Sequence, residues 1–257
     1  GVFSTGYFGL VKPGNTLELY DGQIRLIGRD GVELEKFDPR NYLEYIAEHV
    51  EPWSYLKFPY YKKLGYPQGV YRVGPLGRCN ASDRMATPLA DAELKRFKQI
   101  NDGKPVENTL HYHTARMIET LYAAENVKVL LDDPDILSKD ILNTCRNPKP
   151  QGVGVIEAPR GTLIHNYWVK ESGQIEKVNL IVSTGHNNWS MCEAVDSVAK
   201  TYIKGPEVSE GLLNRVEAAI RAHDPCLSCS THAIGQMPIT IEFRDPSDQL
   251  IRTMSRD

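Results

Sequence analysis

The sequence has few cysteines, no excess of positive charge and no long apolar run, and each shortage excludes a class of protein. Five cysteines among 257 residues are too few and too scattered for a disulfide scaffold, and an odd number suits a reducing compartment. Lysine and arginine number 30 against 33 aspartates and glutamates, so the basic excess of a nucleic-acid or membrane-surface binder is missing. No stretch approaches the ~18 uninterrupted apolar residues that a membrane-spanning helix needs.

The rest of the composition is that of a folded chain. Hydrophobic residues make up 41% of the sequence and aromatic residues 9%, which excludes a disordered chain. The length allows one or two domains and one sizeable core, at the usual ~100–200 residues per domain. The chain starts Gly1-Val2-Phe3-Ser4, without an initiator methionine, a basic leader or an apolar leader. We therefore expect it to be cut from a longer protein.

Hydrophobic periodicity and turn residues predict a mixed, helix-leaning α+β fold without a βαβ rhythm. Residues 16–37 are expected to form a three-strand meander, because two Asp-Gly pairs supply the positive φ that tight hairpins require. Residues 51–82, rich in proline and aromatic side chains, are expected to form an extended segment over a core. Helices are predicted over 38–50, from Thr87-Pro88 onwards, over 107–126 and over 209–223. Buried strands are predicted over 152–156 and 177–184, and a hairpin over 239–253.

The sharpest feature is the run Asp224-Pro225-Cys226-Leu227-Ser228-Cys229-Ser230-Thr231-His232. Two thiolates three positions apart can bind one metal centre, and a histidine follows three positions later. Pro225 ends the preceding helix, which places the cysteines on a rigid turn that is suited to fixing ligand geometry. Soft thiolates select zinc, iron or nickel rather than magnesium.

Structural thiols, a structural zinc site and a redox pair are alternative roles for this run, and each fits the sequence less well. Two purely structural thiols beside a histidine are improbable in a chain with five cysteines. A structural zinc site needs four ligands, usually in two separated pairs, and only Cys192 or His223 is available as the fourth. A thioredoxin-like redox pair requires a βαβ context. The spacing favours half of a metal site, completed by ligands outside this chain.

Two further runs carry polar side chains at the ends of predicted strands. The first, 157–167, begins Glu-Ala-Pro-Arg-Gly, a turn that can bring Arg160 into a pocket while Gly161 allows close backbone approach. Taken alone, it is better explained as an ordinary turn with an exposed arginine. The second, 182–188, places small hydroxyls and amides in what is by itself a polar loop.

Together these motifs resemble one family, the large catalytic subunit of [NiFe] hydrogenases. The run 224–232 resembles its C-terminal metal signature, and Glu-Ala-Pro-Arg-Gly with His165 and Tyr167 resembles its second landmark. Further segments resemble the NAD(P)-linked bidirectional branch, so that the likeness covers nearly the whole chain: 48–57, 71–76, 179–184 and 211–217. The resemblance implies the C-terminal part of the large-subunit fold, with a small N-terminal β-meander and a helical core.

The resemblance also implies roles for individual residues. Cys226 matches the terminal thiolate on nickel, and Cys229 matches a thiolate that bridges nickel and iron. His232 matches a ligand of a nearby magnesium or iron ion, and the Leu180 carbonyl is expected to be another. The positions that match the surroundings of the iron's cyanide ligands are Pro159, Arg160 and Thr184.

The implied reaction is reversible, heterolytic cleavage of H₂ at a Ni–Fe centre with CO and cyanide on the iron. Metal binding keeps cysteine as thiolate, so Cys226 is expected to accept the proton, with Cys229 and Arg160 completing the catalytic set. Arg160 is expected to act through its charge, because a guanidinium stays protonated and is a poor base. Electrons are expected to pass through iron–sulfur clusters in a separate small subunit to an NAD(P)-reducing diaphorase module.

The chain lacks part of the family pattern. The family's N-terminal Arg-x-Cys-Gly-x-Cys motif supplies two more thiolates, whereas Cys79 and Cys145 have no partner at that spacing.

The family's maturation endopeptidase normally cuts just after the histidine of the signature. We therefore expect residues 1–232 to be the C-terminal part of the large-subunit domain and 233–257 to be an extension removed on maturation. Nickel-insertion proteins are further expected partners, nucleic acid and membrane are not, and the expected location is cytoplasmic.

Two alternatives from other classes stay open at this point: a complex I-like or hydrogenase-like structural subunit, and a zinc-binding interaction module. The complex I relatives lack the metal cysteines, so Cys226 and Cys229 favour the enzyme. Outside the motifs, we expect His111 and His113 to be helix-packing or hydrogen-bonding residues rather than metal ligands. Arg116 and Glu119 are expected to form a surface pair, and Cys192 to be a buried inert thiol.

Overall fold

The computed structural model describes residues 1–54, 56–142, 149–205, 209–227 and 239–256. The predicted ligands Cys229 and His232 lie outside these ranges, as does Cys145. The described part combines α-helices with mainly antiparallel sheets, in agreement with the predicted α+β class. None of its helices is both long and apolar enough to cross a membrane.

A five-stranded sheet occupies the N-terminal part of the chain. Its central strand is β1 (Gly6–Lys12), which pairs antiparallel with β3 (Gln23–Ile27) and with β2 (Thr16–Leu17). Strand β4 (Glu33–Phe37) completes the order β2-β1-β3-β4, and β7 (Tyr71–Arg72) pairs in parallel with the start of β1. The predicted meander is therefore correct for β3 and β4. Of the strand predicted over 16–20 only Thr16–Leu17 forms, and it pairs with β1, which was not predicted. Six of the seven residues of β1 are buried, so it has no alternating pattern to reveal it.

The predicted helix over 38–50 is wrong beyond its first turns. A short 3₁₀ turn with Asp38 as its N-cap leads into α1 (Tyr42–Tyr45), and the chain then becomes strand β5 (Ile46–Val50). Strand β5 pairs antiparallel with β6 (Lys57–Tyr61), so a tertiary partner overrides the local helical spacing. The segment 51–82 is likewise not one extended stretch, because it contains β6, β7 and helix α2 (Gly74–Ala81).

Helix α2 lies in the core and packs on helix α4. Every residue of α2 is buried, between β1 on one side and α4 (His111–Leu131) on the other. Helix α3 (Pro88–Gln99) packs on α4 and begins at a proline, as predicted. Helices α5 (Asn188–Tyr202) and α6 (Glu210–Ala222) pack on each other, and α6 confirms the predicted helix after Ser209.

A second sheet contains the strands that lead into the candidate site. Its order is β10-β9-β8, formed by β8 (Gln151–Ala158), β9 (Gly161–Val169) and β10 (Ile175–Ile181). Strands β8 and β10 are mostly exposed, so the prediction that they are buried is wrong, and β9 was not predicted. The predicted C-terminal hairpin is present as β11 (Ile239–Arg244) and β12 (Leu250–Arg256).

Candidate metal centre

The structure brings three of the sequence motifs together. The turn between β8 and β9 carries Arg160, the loop after β10 carries Thr184, and the segment after α6 carries Asp224 and Cys226. Arg160 Nε donates a hydrogen bond to the Asp224 carbonyl over 2.7 Å and lies 3.3 Å from Asp224 Oδ2. The backbone N–H of Cys226 donates to Thr184 Oγ1 over 3.1 Å. The segment 224–226 therefore contacts both the Arg160 turn and the Thr184 loop, which are far apart from it in sequence.

Close packing on α2 defines the turn that carries Arg160. Gly161 has φ +138°, and a Cβ there would lie 2.2 Å from Val73 Cγ2. Gly74 has φ +78°, and a Cβ there would lie 2.8 Å from the Arg160 carbonyl oxygen. Both positions need glycine for the backbone conformation and for the close approach. The Arg160 turn is thus seated directly on the N-terminal end of α2.

The end of α6 directs the chain into the site. His223 caps the helix, and Asp224 follows in the left-handed region with φ +53°. A left-handed residue just after a helix, followed by proline, is a common helix stop, because it reverses the chain and proline cannot continue the helix. Cys226 therefore leaves α6 on a turn, as the position of Pro225 predicts.

The Thr184 loop is buried and held from two sides. Thr184 is 3% exposed, and Asn187 Oδ1 accepts a hydrogen bond from the backbone N–H of Val73 over 3.0 Å. His186 Nδ1 lies 2.8 Å from the hydroxyl of Tyr71, and both side chains are buried. Burial lowers the pKa of His186 to about 3, so its ring is neutral at neutral pH. The loop has a fixed shape before any ligand binds.

The pairing of Arg160 with Asp224 orients the guanidinium but contributes little to the stability of the fold. Both side chains are partly exposed, at 40% and 47%, and ion pairs at such exposure contribute at most ~1 kcal/mol. Because the Asp224 backbone carbonyl also binds Arg160, the guanidinium is tied to the segment that carries Cys226. This ties a positively charged side chain to the residue two positions before a cysteine that would bind a metal as an anion.

The donor chemistry fits a soft, thiolate-bound metal. Cys226 supplies sulfur, and its neighbours Thr184 and Arg160 supply a hydroxyl and a charged donor. The Cys226 sulfur is in a disulfide in this structure, so its metal-binding form is the reduced thiolate. Within the described ranges no three His, Cys, Asp or Glu side chains lie close enough together to hold a metal ion.

The other predicted residues have different outcomes. Leu180 lies near the end of β10, opposite His165 of β9. Pro159 follows β8 directly, and its carbonyl accepts a hydrogen bond from a buried arginine, Arg78. Cys192 is exposed, so the prediction of a buried thiol is wrong, since the residue lies on the outer side of α5.

The predicted surface pair of Arg116 and Glu119 is also wrong. Glu119 binds the buried Arg78, and Arg116 Nη2 donates to the Ala222 carbonyl over 2.9 Å. Residues three apart on a helix share a face, but α2 and α6 cover that face here. Arg78 itself was missed as a site residue. The signal that was available is Pro75, which marks a helix start and makes 74–81 a candidate helix rather than an extended segment.

The sequence matches the model of a known protein family. A family model described as nickel-dependent hydrogenase matches residues 18–232. The chain therefore belongs to the nickel-dependent hydrogenase family. The match covers all three motifs that meet in the candidate site.

Individual relatives agree with this family. The chain is 47% identical over 251 residues to the NAD-reducing hydrogenase HoxS subunit beta of Cupriavidus necator, which covers 96% of this chain and 51% of the relative. It is 44% identical over 257 residues to an F420-non-reducing hydrogenase subunit of Methanothermobacter thermautotrophicus, covering 98% of this chain and 54% of the relative. The chain thus spans about half the length of the curated relatives that it matches.

A solved structure agrees with the fold. The crystal structure of an NAD⁺-reducing [NiFe]-hydrogenase in the H₂-reduced state superposes with a TM-score of 0.85 at 47% identity. The superposition covers 90% of this chain and 51% of that chain. The fold is that of the [NiFe] hydrogenase large subunit, which confirms the expected fold class.

Proposed function

We propose that this chain supplies one half of the Ni–Fe site of a hydrogenase catalytic subunit that cleaves and forms H₂. The observation that carries the proposal is the convergence of Arg160, Thr184 and Cys226, which are joined by the Arg160–Asp224 and Thr184–Cys226 hydrogen bonds. The names of the relatives, NAD-reducing and F420-non-reducing hydrogenase subunits, support the reaction. NAD(P) is the proposed final electron acceptor or donor, because the chain is 47% identical to an NAD-reducing relative over nearly its whole length.

The residues of this chain would hold the metals as follows. Cys226 is the proposed terminal thiolate on nickel, and Cys229 the proposed bridge between nickel and iron. His232 and the Leu180 carbonyl are the proposed ligands of a second metal ion, magnesium or iron. The proposed surroundings of the cyanide ligands on the iron are formed by Pro159, Arg160 and Thr184.

When bound, a Ni–Fe centre would supply the redox and Lewis-acid chemistry for the overall reaction, in which H₂ gives two protons and two electrons. Cys226 Sγ accepts one proton, because a thiolate next to a metal is the basic group of this set. Arg160 stays protonated and stabilises negative charge that develops beside it. Asp224 holds Arg160 in place through its carbonyl and its carboxylate. Thr184 uses its oxygen to accept from Cys226 N–H, which leaves its own hydroxyl proton to donate to a cyanide nitrogen.

The proposed assembly follows from the family. A small iron–sulfur subunit would carry electrons from this site, and an NAD(P)-reducing diaphorase module would use them. Nickel-insertion proteins and a maturation endopeptidase are further proposed partners. Residues 1–232 are the proposed large-subunit part and 233–257 the proposed extension removed on maturation, in a cytoplasmic enzyme.

The test is Cys226→Ser in the complete hydrogenase, produced with its maturation proteins. We expect the variant to lose nickel and H₂-dependent NAD(P) reduction together, because serine does not provide a soft thiolate. Cys192→Ser is the matched control: this cysteine is exposed on α5, and its loss should leave nickel content and activity unchanged. Full nickel occupancy in Cys226→Ser, or stoichiometric zinc without nickel in the unaltered protein, would contradict the proposal.

A further inference from the structure

Arg78, on α2, is a buried cation that binds the backbone of the site. Its side chain is 3% exposed, yet it has five hydrogen bonds. Two of these go to backbone carbonyls: Nη1 donates to Ala158 over 2.7 Å and Nη2 to Pro159 over 2.9 Å. These are the two peptide carbonyls immediately before Arg160. The planar guanidinium is therefore hydrogen-bonded to the backbone of the turn that carries Arg160.

Two carboxylates orient this guanidinium. Glu119 of α4 binds it with both oxygens, at 2.6 Å to Nε and 2.7 Å to Nη2. Glu157 of β8 accepts from Nη1 over 2.8 Å. Burial alone would lower the pKa of Arg78, but the two carboxylates outweigh burial and raise the pKa. The cation is thus permanent, and its fork geometry is fixed by a bidentate partner.

Glu157 is itself anchored on its other side. Its Oε1 accepts from the Thr162 hydroxyl over 2.7 Å and from the backbone N–H of Leu10 over 3.0 Å. The hydrogen-bond chain therefore runs from β1 through Glu157 and Arg78 to Glu119 of α4. The Arg160 turn is held between these fixed elements.

A cavity lies next to the Arg160 turn, on the side where Arg78 binds it. A cavity of about 360 Å³ opens beside it, lined among others by Arg78, Glu119, Glu157, Pro159 and Asp224. Without the Arg78 guanidinium, the Ala158 and Pro159 carbonyls would face this open volume instead of a donor. The turn could then shift towards the cavity and carry Arg160 away from Asp224.

We propose that Arg78 and Glu119 form a positioning pair that sets the place of Pro159 and Arg160 relative to Cys226. Neither residue touches the reacting atoms, so their effect passes through the backbone of residues 158–160. The inference rests on the proposed function, because the place of Arg160 matters for H₂ chemistry only if the Ni–Fe centre lies beside it. It adds that H₂ turnover depends on Arg78 of α2 and Glu119 of α4, two helices that lie outside the metal-binding motifs.

The main test is Arg78→Lys in the matured hydrogenase complex. Lysine keeps the charge but cannot bind both carbonyls and both oxygens of Glu119 at once. We expect nickel to be retained, H₂ turnover to fall roughly 10- to 100-fold, since small misplacements carry costs of this size, and the infrared bands of iron-bound cyanide to shift. Glu119→Gln is the milder second variant, which keeps side-chain size and should shift the same bands less.

Arg25 offers a matched control. It is another buried arginine, 10% exposed, that binds two carboxylates, Glu33 at 2.6 Å and Asp83 at 2.9 Å, and one carbonyl, Ala81 at 2.8 Å. Its carbonyl partner lies at the far end of α2 from the Arg160 turn. Arg25→Lys should lower the thermal midpoint of unfolding and leave the infrared bands unchanged.

The outcomes separate the two proposals. If Arg78→Lys lowers the thermal midpoint like Arg25→Lys but leaves cyanide bands and turnover at the unaltered values, the pair is only structural and the inference is wrong. If the unaltered protein carries no nickel and no cyanide bands, the proposed function fails instead. In that case, crystal structures of the unaltered protein and Arg78→Lys still decide positioning: the hydrogen bond from Arg160 Nε to Asp224 should be lost in the variant.

Discussion

The hydroxyl oxygen of Thr184 accepts a hydrogen bond from the backbone N–H of Cys226 over 3.1 Å. This contact joins the loop after β10 to the turn after α6. It fixes the backbone of the proposed nickel ligand through a side chain that is itself 3% exposed. A buried side chain that positions a ligand's main chain sets geometry before metal arrives.

Thr184→Val should weaken the site while preserving its shape. The valine methyl group replaces the acceptor, so the Cys226 N–H loses its partner, at a cost of ~1–3 kcal/mol. We expect faster loss of nickel to a chelator in the assembled enzyme, measured by metal analysis against time. Thr184→Ser keeps the hydroxyl and should retain nickel at the original rate; equal loss from both variants would show that the hydroxyl is not the important group.

Gly161→Ala should destabilise the protein strongly. The new Cβ would lie 2.2 Å from Val73 Cγ2, and φ of +138° is strained for any residue with a Cβ. Together, strain and overpacking should cost at least ~2 kcal/mol, measured as a lower thermal midpoint. Gly154→Ala is the matched control on the same hairpin, because nothing lies within 4 Å of its added Cβ. A similar small effect from both substitutions would contradict the close approach of this turn to α2.

Stability should fall as pH falls from 7 to 5, because of two buried histidines. Burial lowers the pKa of His186 and of His223 to about 3, from an ordinary value of 6.5. Between these values the unfolded chain binds protons that the folded chain does not, so the free energy of unfolding decreases on acidification. The expected loss is ~2 kcal/mol for each histidine over these two pH units, measured by unfolding at a series of pH values.

A variant isolates one of the two contributions. His186→Phe keeps a ring in the stack with Phe8 and removes one titrating group. Between pH 7 and pH 5, the histidine contribution to the change in its free energy of unfolding should therefore be about half that of the unaltered protein. This holds even if the variant is less stable at every pH. An unchanged slope would mean that His186 takes up a proton in the folded state.

Arg116→Gln should loosen the C-terminal end of α6. The lost hydrogen bond from Arg116 Nη2 leaves the Ala222 carbonyl without this donor, at a cost of ~1 kcal/mol. We expect faster amide hydrogen exchange over 216–227, measured by mass spectrometry. Arg221→Gln breaks an exposed pair with Glu217 on the same helix and should have little effect there. Equal exchange in the two variants would count against a special role for Arg116.

Two physical causes account for several of the elements that the sequence did not predict. Strand β1 and helix α2 are buried almost throughout, so neither has the polar face that makes a period visible. The stretch 46–50 has helical spacing but forms a strand, because β6 supplies a partner that local sequence does not contain. Elements with one exposed face and a clear cap, such as α3 and α6, were predicted correctly.

The sequence by itself determined the family of this protein and the residues proposed for its metal site. The spacing of Cys226 and Cys229 pointed to a thiolate-bound metal, whereas Arg160 and Thr184 could be selected only because their runs resemble the motifs of the family. Only the tertiary structure decided what holds them: the Asp224 contact to Arg160, the Thr184 contact to Cys226, and the Arg78–Glu119 pair behind the turn. Motifs are local and can be read from neighbours in the chain, whereas these supports join residues from helices and strands that meet only when the core packs.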